Sequence, residues 1–258
     1  MRFAVLGSGS SGNAAVLECG DTRLLIDAGL SAKQLTLRLH ALGITPETLT
    51  GVLLTHEHGD HIRGLKTLSS KTPVRVFATR ETAQVVRESG ITAASWSLFE
   101  SGQSFAIESL HISAFQVQHD AVDPVGFVLR ANSRSIGIVS DAGHVTRSMT
   151  HALAGVHTLF IEANYDESLL EADLKRPWAT KQRIRSRHGH LSNHQVADLL
   201  HDLAHPGMHQ VLLGHLSSDC NHPETALQVL CERLASSGHR HIQVSCAPRD
   251  HSSGWFEV

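Results

Sequence analysis

The chain has 258 residues, 41% of them hydrophobic, which is enough apolar material for a sizeable core. Its formal net charge is −3 with neutral histidines, so a nucleic acid would have to be bound by a local basic surface rather than by the charge of the whole molecule. No linker-like composition and no internal repeat divides the sequence, and we predict a single domain over residues 1–258.

Two features of the sequence indicate the cellular compartment in which the protein acts. No apolar stretch reaches the length of a membrane span, and the apolar run after Met1 is interrupted at Gly7 before it could form a signal peptide. The cysteines form no C-x-x-C pair, which favours reduced thiols over disulfides or a zinc ribbon. They are Cys19, Cys220, Cys231 and Cys246. We therefore expect a cytoplasmic protein without a membrane partner, and nothing in the sequence points to a stable protein partner.

Apolar runs at strand or helix spacing follow one another along the chain. An opening group of strands gives way to alternating helices and strands, a pattern typical of a mixed α/β (α+β) protein with two sheets packed face to face under outer helices. The predicted strands are 3–7, 14–18, 23–27, 51–54, 74–77, 104–107, 110–116, 126–131, 135–140, 157–162, 209–214 and 241–245. The predicted helices are 32–42, 62–68, 80–88, 146–153, 167–174, 193–203 and 223–235.

The most informative stretch, residues 55–61, reads Thr-His-Glu-His-Gly-Asp-His and follows an apolar strand on a strand-to-helix loop. Residues two apart in extended backbone point to the same side, so His56 and His58 can converge on one cation while Asp60 and His61 reach a second. The chain contains 20 histidines, but a cluster with this spacing favours a metal site over a solvated polar loop.

Other polar stretches stand where predicted strands end or helices begin, the positions at which side chains reach the edge of a sheet. They are 8–13 (Ser-Gly-Ser-Ser-Gly-Asn), 118–120 (Gln-His-Asp), 140–143 (Ser-Asp-Ala-Gly), 162–166 (Glu-Ala-Asn-Tyr-Asp), 189–193 (Gly-His-Leu-Ser-Asn) and 214–217 (Gly-His-Leu-Ser). Together with residues 55–61 they resemble the YycJ/WalJ family of bacterial nucleases, relatives of tRNase Z in the metallo-β-lactamase superfamily. The resemblance spans nearly the whole chain and implies the metallo-β-lactamase fold, a four-layer αββα sandwich.

The same resemblance, carried over residue by residue, implies two divalent metal ions, either zinc or manganese. The implied ligands are His56, His58 and His119 for one ion, Asp60, His61 and His215 for the other, and Asp141 as a bridge. Taken alone, a histidine such as His119 is more often a surface residue than a ligand. Asp141 stands at the end of an apolar strand, as site carboxylates often do, and the alternative is a turn-forming aspartate. His144 and His188 are near these positions in sequence, and we expect neither to be a primary ligand.

Two positions near the start of the chain have alternative interpretations. The loop 8–13 either presents backbone N–H groups to a phosphate or is an ordinary tight turn. Asp27, at the end of the third predicted strand, resembles the family's carboxylate that braces the metal loop, but it could also cap the helix that starts near Ser31.

His190 and Glu162 are the residues that we predict to take part in catalysis beside the metal ligands. Ser192 and Gln195 have capping-box spacing, so a helix N-terminus that attracts phosphates is expected next to His190. In tRNase Z-like enzymes a similarly placed histidine, paired with a glutamate, contacts the scissile phosphate. The resemblance thus implies that Glu162 orients His190 to stabilise or protonate the leaving group, and that Asp60, His190 and Glu162 form the catalytic set. The alternative is a capped helix with an incidental histidine.

Six of the 22 lysines and arginines fall within residues 175–187, which we call the basic segment. A charge run is usually a solvated face, but one that leads into His190 is better interpreted as a contact with a nucleic-acid backbone. Trp178 within it is either a base-stacking residue or an anchor in the core. The expected substrate-binding residues are Lys181, Arg183, Arg185, Arg187 and Ser192.

The function implied by the resemblance is phosphodiester hydrolysis by water activated between two metal ions, most simply as a 5′ to 3′ exonuclease on double-stranded DNA. DNA is favoured over RNA as the partner. One alternative is a hydrolase of small phosphodiesters, thioesters or lactones on the same fold. Another is a metal-stabilised nucleic-acid-binding or regulatory module without turnover, against which an open pair of metal sites speaks.

Overall fold

Two seven-stranded sheets form the centre of the protein in the computed structural model, which describes every residue from Met1 to Val258. In spatial order the first sheet contains β14 (Phe256–Glu257), β1 (Arg2–Gly7), β2 (Ala14–Cys19), β3 (Thr22–Ile26), β4 (Gly51–Leu53), β5 (Arg75–Thr79) and β6 (Ser95–Phe99). The second contains β13 (Gln243–Cys246), β12 (Gln210–Gly214), β11 (Thr158–Glu162), β10 (Arg134–Val139), β9 (Val125–Ala131), β8 (Leu110–Gln116) and β7 (Ser104–Ile107).

Each sheet joins an antiparallel half to a parallel half. In the first sheet β14, β1, β2 and β3 pair antiparallel, and β3, β4, β5 and β6 pair parallel. In the second sheet β7 to β10 pair antiparallel and β10 to β13 pair parallel. Parallel strands present their carboxyl ends at one edge, so each sheet gathers the loops that follow its parallel strands.

Alternation along the strands places apolar side chains on both faces of each sheet. Leu212 of β12 is buried between the two sheets with Phe3 and Phe127, whereas its neighbours Val211 and Leu213 point to the outer helices. Two further apolar layers lie under helices, one outside each sheet. The result is the four-layer αββα arrangement that the family resemblance implied.

Helices cover both outer faces. Buried residues of α1, α3 and α4 pack on the first sheet, and those of α5, α8 and α9 pack on the second. None of the helices is both long and apolar enough to cross a membrane. The helices are α1 (Ala32–Ala41), α2 (Gly59–Ile62), α3 (Leu65–Lys71), α4 (Arg80–Glu88), α5 (Arg147–Leu153), α6 (Glu167–Ala172), α7 (Trp178–Arg185), α8 (Asn193–Leu203) and α9 (Pro223–Ser236), with a 3₁₀ turn at Pro46–Thr48.

The predicted elements agree with the structure within one or two residues except at a few places. The helix predicted over 62–68 is split in two, because the backbone N–H of Gly64 donates to the Ala28 carbonyl and a Cβ at Gly64 would lie 2.2 Å from the Leu30 carbonyl oxygen. Strand β6 was not predicted, since its side chains are mostly half-buried or exposed at a sheet edge and show no apolar run.

Helix α7 was also not predicted, and it contains the basic segment's centre. It has no buried residue, so it lacks the apolar stripe from which helices are recognised in a sequence. Trp178, its first residue, is 74% exposed. The interpretation of Trp178 as a core anchor is therefore wrong.

Candidate metal centre

The predicted site residues meet at the carboxyl ends of the parallel strands of both sheets. Asp27 follows β3, and His56 follows β4 in the first sheet. In the second sheet, Asp141 follows β10, Glu162 is the last residue of β11, and His215 follows β12. Strand ends at the mouth of packed sheets are rigid supports, so these side chains are fixed by the framework rather than by mobile loops.

Asp27 connects the end of β3 to the loop that carries the histidine motif. Its carboxylate accepts hydrogen bonds from the Thr55 backbone N–H and hydroxyl, both at 2.8 Å, and from His61 Nδ1 at 2.7 Å. The brace that the resemblance implied is thus confirmed, and α1 is capped instead by Ser31. The loop also packs tightly on Gly29, where a Cβ would lie 1.6 Å from the Asp60 carbonyl oxygen.

Three of these strand-end residues have a left-handed backbone. Asp27, Asp141 and His215 have φ values of 56°, 51° and 52°. This region is uncommon for residues other than glycine and costs on the order of 1–3 kcal/mol each, so it persists only where surrounding contacts fix it. Such strain is concentrated at functional sites, and here it turns each side chain inward immediately after its strand.

The first ligand group consists of His56, His58 and His119. Their candidate ligand atoms lie within 4.8 Å of one another, and the three ring centroids are 4.6 to 5.2 Å apart. His119 comes from the loop after β8, so this group joins the two sheets across the mouth of the sandwich.

The second group consists of Asp60, His61 and His215, and Asp141 lies between it and the first. Asp60 Oδ2 is 3.8 Å from His61 Nε2 and 3.9 Å from His215 Nε2. Asp141 Oδ2 is 2.9 Å from His61 Nε2, but it is also 3.4 Å from His56 Nε2. One carboxylate thus faces both groups, which is the placement required of a bridging ligand.

Hydrogen bonds at Nδ1 aim the other ring nitrogen of several of these histidines at the centre. His119 Nδ1 donates to the Gly189 carbonyl at 3.0 Å. His215 Nδ1 lies against Asp141 Oδ1, with Glu162 Oε2 as a second acceptor at 3.2 Å. Since the Thr55 hydroxyl already donates to Asp27, it accepts from His56 Nδ1, 3.0 Å away. Each such bond leaves the lone pair on Nε2, as is usual for metal-ligating histidines.

Buried nitrogens without partners support this reading. His56 Nε2 and His215 Nε2 are fully buried and have no hydrogen-bond partner in the protein. A buried polar atom without a partner is costly, and a divalent cation satisfies a histidine lone pair directly. The residues present therefore fit a metal-binding site.

The charges inside the site are balanced between acids and histidines. Burial would raise the pKa of Asp141, but His215 and His61 hold it well below its ordinary value. Burial would lower the pKa of His215, yet Asp141 raises it to about 10, and the pKa of His61 is likewise raised because Asp27 and Asp141 outweigh burial. Burial keeps the pKa of His56 well below its ordinary value. Cations and protons therefore compete for the same nitrogens.

Glu162 and His190 form a pair beside the candidate ligands, as predicted. His190 Nδ1 donates to Glu162 Oε2 at 3.0 Å, and this contact raises the pKa of His190 although burial opposes it. Glu162 also accepts hydrogen bonds from the backbone N–H groups of Ala142 and Leu191. Both carboxylate oxygens of Glu162 thus accept hydrogen bonds from neighbouring groups. The His190 side chain remains 20% exposed, and its Nδ1 is 3.8 Å from Asp141 Oδ1.

A second grouping could also hold a metal ion. Asp141, Glu162, His190 and His215 place their candidate ligand atoms within 4.8 Å of one another. The hydrogen bonds of Glu162 described above argue against its use as a ligand, because a cation would have to displace donors from both of its oxygens.

The loop 8–13 is a tight turn that supports the metal loop. Gly12 N–H donates to the Gly9 carbonyl at 2.9 Å, and Asn13 N–H donates to the Asp60 carbonyl at 2.8 Å. The Asn13 amide also lies 3.0 Å from His61 Nε2. Asn13 and Thr55 were not singled out as site residues, since nothing in the spacing shows which polar side chains the fold turns inward.

Ser192 is the N-cap of α8, and the predicted capping box with Gln195 is present. Its hydroxyl is buried and accepts a hydrogen bond from the Gln195 backbone N–H.

His144 contacts Arg187 through both ring nitrogens, and the His188 backbone carbonyl accepts a hydrogen bond from the Asp120 N–H.

The basic segment runs along the rim of this centre, and most of its charges have acidic partners. Arg183 pairs with Asp120, the residue after His119, at 2.6 Å. Arg185 pairs with Glu171, and Arg176 and Lys175 pair with Asp219 in the loop after His215. Lys181 and Arg187 have no carboxylate partner. Lys181 donates to the Glu171 carbonyl, and Arg187 lies 3.0 Å from the His144 ring.

Comparison with known proteins agrees with this architecture. Residues 22–216 match a family model described as a beta-lactamase superfamily domain. The short form of human tRNase Z superposes with a TM-score of 0.65 at 19% identity, covering 98% of both chains, which shows a shared fold.

Two relatives match over most of their length. The exodeoxyribonuclease WalJ of Streptococcus pneumoniae is 34% identical over 240 residues, covering 92% of this chain and 89% of the relative. The exodeoxyribonuclease YycJ of Bacillus anthracis is 30% identical over 240 residues, covering 92% of this chain and 90% of the relative. The chain therefore belongs to the beta-lactamase superfamily and, within it, to the YycJ/WalJ family of metal-dependent nucleases.

Proposed function

We propose that this protein is an exonuclease that degrades double-stranded DNA from 5′ ends by metal-dependent hydrolysis. The observation that carries the proposal is the His190–Glu162 pair at 3.8 Å from Asp141, which adds an acid beside the metal ligands. Relatives named exodeoxyribonucleases support DNA as the polymer. We place the reaction in the cytoplasm, and four unpaired cysteines suit such a reducing compartment.

Two divalent ions, zinc or manganese, are the cofactors we propose. His56, His58 and His119, whose ligand atoms are close together, would hold one ion. Asp60, His61 and His215 would hold the other, since Asp60 Oδ2 lies 3.8 Å and 3.9 Å from the Nε2 atoms of the two histidines. Asp141 would serve both, since its Oδ2 faces the two groups. Ions bound there would supply Lewis-acid activation of water and of a phosphate oxygen. The mixed imidazole and carboxylate set suits either metal.

The chain's own residues divide the remaining work. His190 would donate a proton to the leaving oxygen through its Nε2, because its Nδ1 is held by Glu162 and its ring remains partly exposed. Glu162 would fix the orientation of that ring. Asp60 is 23% exposed, far more than Asp141 at 2%, so it is the ligand carboxylate best placed to hydrogen-bond an attacking water.

The alternative functions differ from a nuclease in the residues that they require around the metal centre. A hydrolase of small phosphodiesters, thioesters or lactones needs no basic surface, whereas here Arg183 and Arg187 extend from the rim beside Asp120 and His144. A binding module without turnover needs no oriented acid such as His190. Both features favour a nuclease.

Linear and circular DNA test the proposed function directly. Metal-loaded protein should release the 5′ label of a linear duplex as a mononucleotide, while a 3′ label should appear in progressively shorter strands. Covalently closed circular DNA is the control and should remain intact, since an exonuclease needs an end. Cleavage of the circle, or hydrolysis of thioesters or lactones only, would contradict the proposal.

A substitution at His190 separates chemistry from metal binding. His190→Ala should lower turnover by roughly 10²- to 10⁴-fold, because an acid at the leaving group is lost, while the metal content measured by elemental analysis stays at the wild-type level. His194→Ala is the matched control, since His194 is 60% exposed and pairs only with Glu167 on the outside of α8. Loss of metal with His190→Ala would instead make His190 a ligand.

Salt dependence tests which basic residues contact the DNA backbone. Lys181 and Arg187 can bind phosphate without breaking an ion pair, so Lys181→Gln with Arg187→Gln should reduce the slope of log affinity against log salt by at most about 1.8, or about 0.9 per contact.

The control for this measurement removes two charges at the opposite edge of the sheets. Arg75 begins β5 and Arg240 precedes β13, so both lie at the amino ends of parallel strands. Arg75→Gln with Arg240→Gln should leave the slope unchanged. Equal slopes for both double variants would show that Lys181 and Arg187 belong to an ordinary solvated face.

A further inference from the structure

Two large apolar side chains are exposed around the start of α7, one in the preceding turn and one in its first residue. Leu174 is 98% exposed and Trp178 is 74% exposed. They line a shallow groove of about 230 Å³ together with charged and polar residues, including Lys181 and Arg185. Neighbouring exposed apolar side chains framed by charges are typical of an interaction surface rather than of a solvated face.

The other tryptophans of the chain show what is unusual about Trp178. Trp255 is covered by the Arg2 guanidinium at 4.2 Å from its ring centroid, and Trp96 by that of Arg87 at 4.8 Å. Both are also partly buried against the outer apolar layer of the first sheet. Trp178 has no such cover, so its ring is free to receive another planar group.

Ion pairs fix this segment across the mouth of the metal centre. Before Trp178, Lys175 and Arg176 pair with Asp219, which lies in the loop after His215. After it, Arg183 pairs with Asp120, next to His119. Trp178 therefore lies between two attachments to loops that carry site histidines, about 7.5 Å along the helix from Arg183.

The charge of the segment identifies the kind of molecule that fits it. The segment has six cations and contacts four carboxylates, which leaves a surplus of two positive charges. The cations are Lys175, Arg176, Lys181, Arg183, Arg185 and Arg187, and the carboxylates are Asp120, Glu171, Asp173 and Asp219. A planar apolar ring beside uncompensated cations matches a nucleic-acid strand, whose bases stack on aromatic rings and whose phosphates are anionic. An apolar protein partner would gain nothing from the two free cations.

We propose that Trp178 is a stacking platform for an unpaired base of the strand that enters the metal centre. Lys181, which lines the same groove, is the neighbouring phosphate contact, and Arg187 beside His144 is a further one. The inference rests on the proposed function and names the part of the substrate that this surface recognises. A base inside a duplex has both faces covered by its stacked neighbours, so the platform is expected to bind bases at an unpaired end of the strand.

The test compares normal and abasic DNA on variants of Trp178. Binding of a twelve-residue oligothymidylate, and of an abasic twelve-residue strand with the same phosphates, is measured in a His190→Ala background that suppresses hydrolysis. Trp178→Ala should weaken oligothymidylate binding by roughly 5- to 100-fold, the cost of one lost base–aromatic stack. Its affinity for the abasic strand should stay unchanged, and Trp178→Phe should retain most of the affinity for oligothymidylate.

The matched control is Leu37→Ala, which also truncates an exposed apolar side chain. Leu37 lies on α1 and is 59% exposed. This variant should bind both strands as tightly as the protein that carries only His190→Ala. The inference is overturned if Trp178→Ala leaves oligothymidylate binding intact, as a protein-docking surface would, or weakens both strands equally.

Failure of the proposed function has a separate signature. If metal-loaded wild-type protein hydrolyses no phosphodiester while the contrast between normal and abasic strands depends on Trp178, the stacking site stands and the nuclease assignment fails.

Discussion

Three carboxylates buried at strand ends, those of Asp27, Asp141 and Glu162, are the constraint on which the rest of the site depends. Each is at most 3% exposed, and a buried carboxylate is tolerated only when it is hydrogen-bonded or paired with positive charge. The partners are all ring nitrogens or nearby N–H and O–H groups: His61 and Thr55 at Asp27, His61 and His215 at Asp141, and His190 with two backbone amides at Glu162. These acids therefore determine where His61, His190 and His215 point.

This arrangement connects the fold to the chemistry. Because the sheets meet with their parallel strand ends at one mouth, residues far apart in sequence become neighbours, and tight loops with left-handed residues at 27, 141 and 215 turn the side chains inward. Histidines held at Nδ1 keep Nε2 lone pairs directed at the centre, as a metal-binding site requires. The proposed acid, His190, belongs to the same network through Glu162, which couples its orientation to that of His215.

The sequence predicted the parts of the site that follow from local pattern. The motif at 55–61 and the polar residues directly after apolar strands, such as Asp141 and His215, were recognisable because strand ends are where buried runs stop. Contacts made only by tertiary packing were not recognisable, among them the amide of Asn13 beside His61 and the pairing of Arg183 with Asp120. Helix α7 was missed because helices are recognised by an apolar stripe, and this one is attached to the protein by ion pairs instead.

The position of bound metal tests the account most directly. Anomalous scattering from crystals grown with zinc or manganese should show two sites, one among the ring nitrogens of His56, His58 and His119 and one among Asp60, His61 and His215, with Asp141 between them. A single ion held by Asp141, Glu162, His190 and His215 would contradict the account. That result would turn the proposed acid and its orienting partner into ligands and leave the motif histidines without a metal.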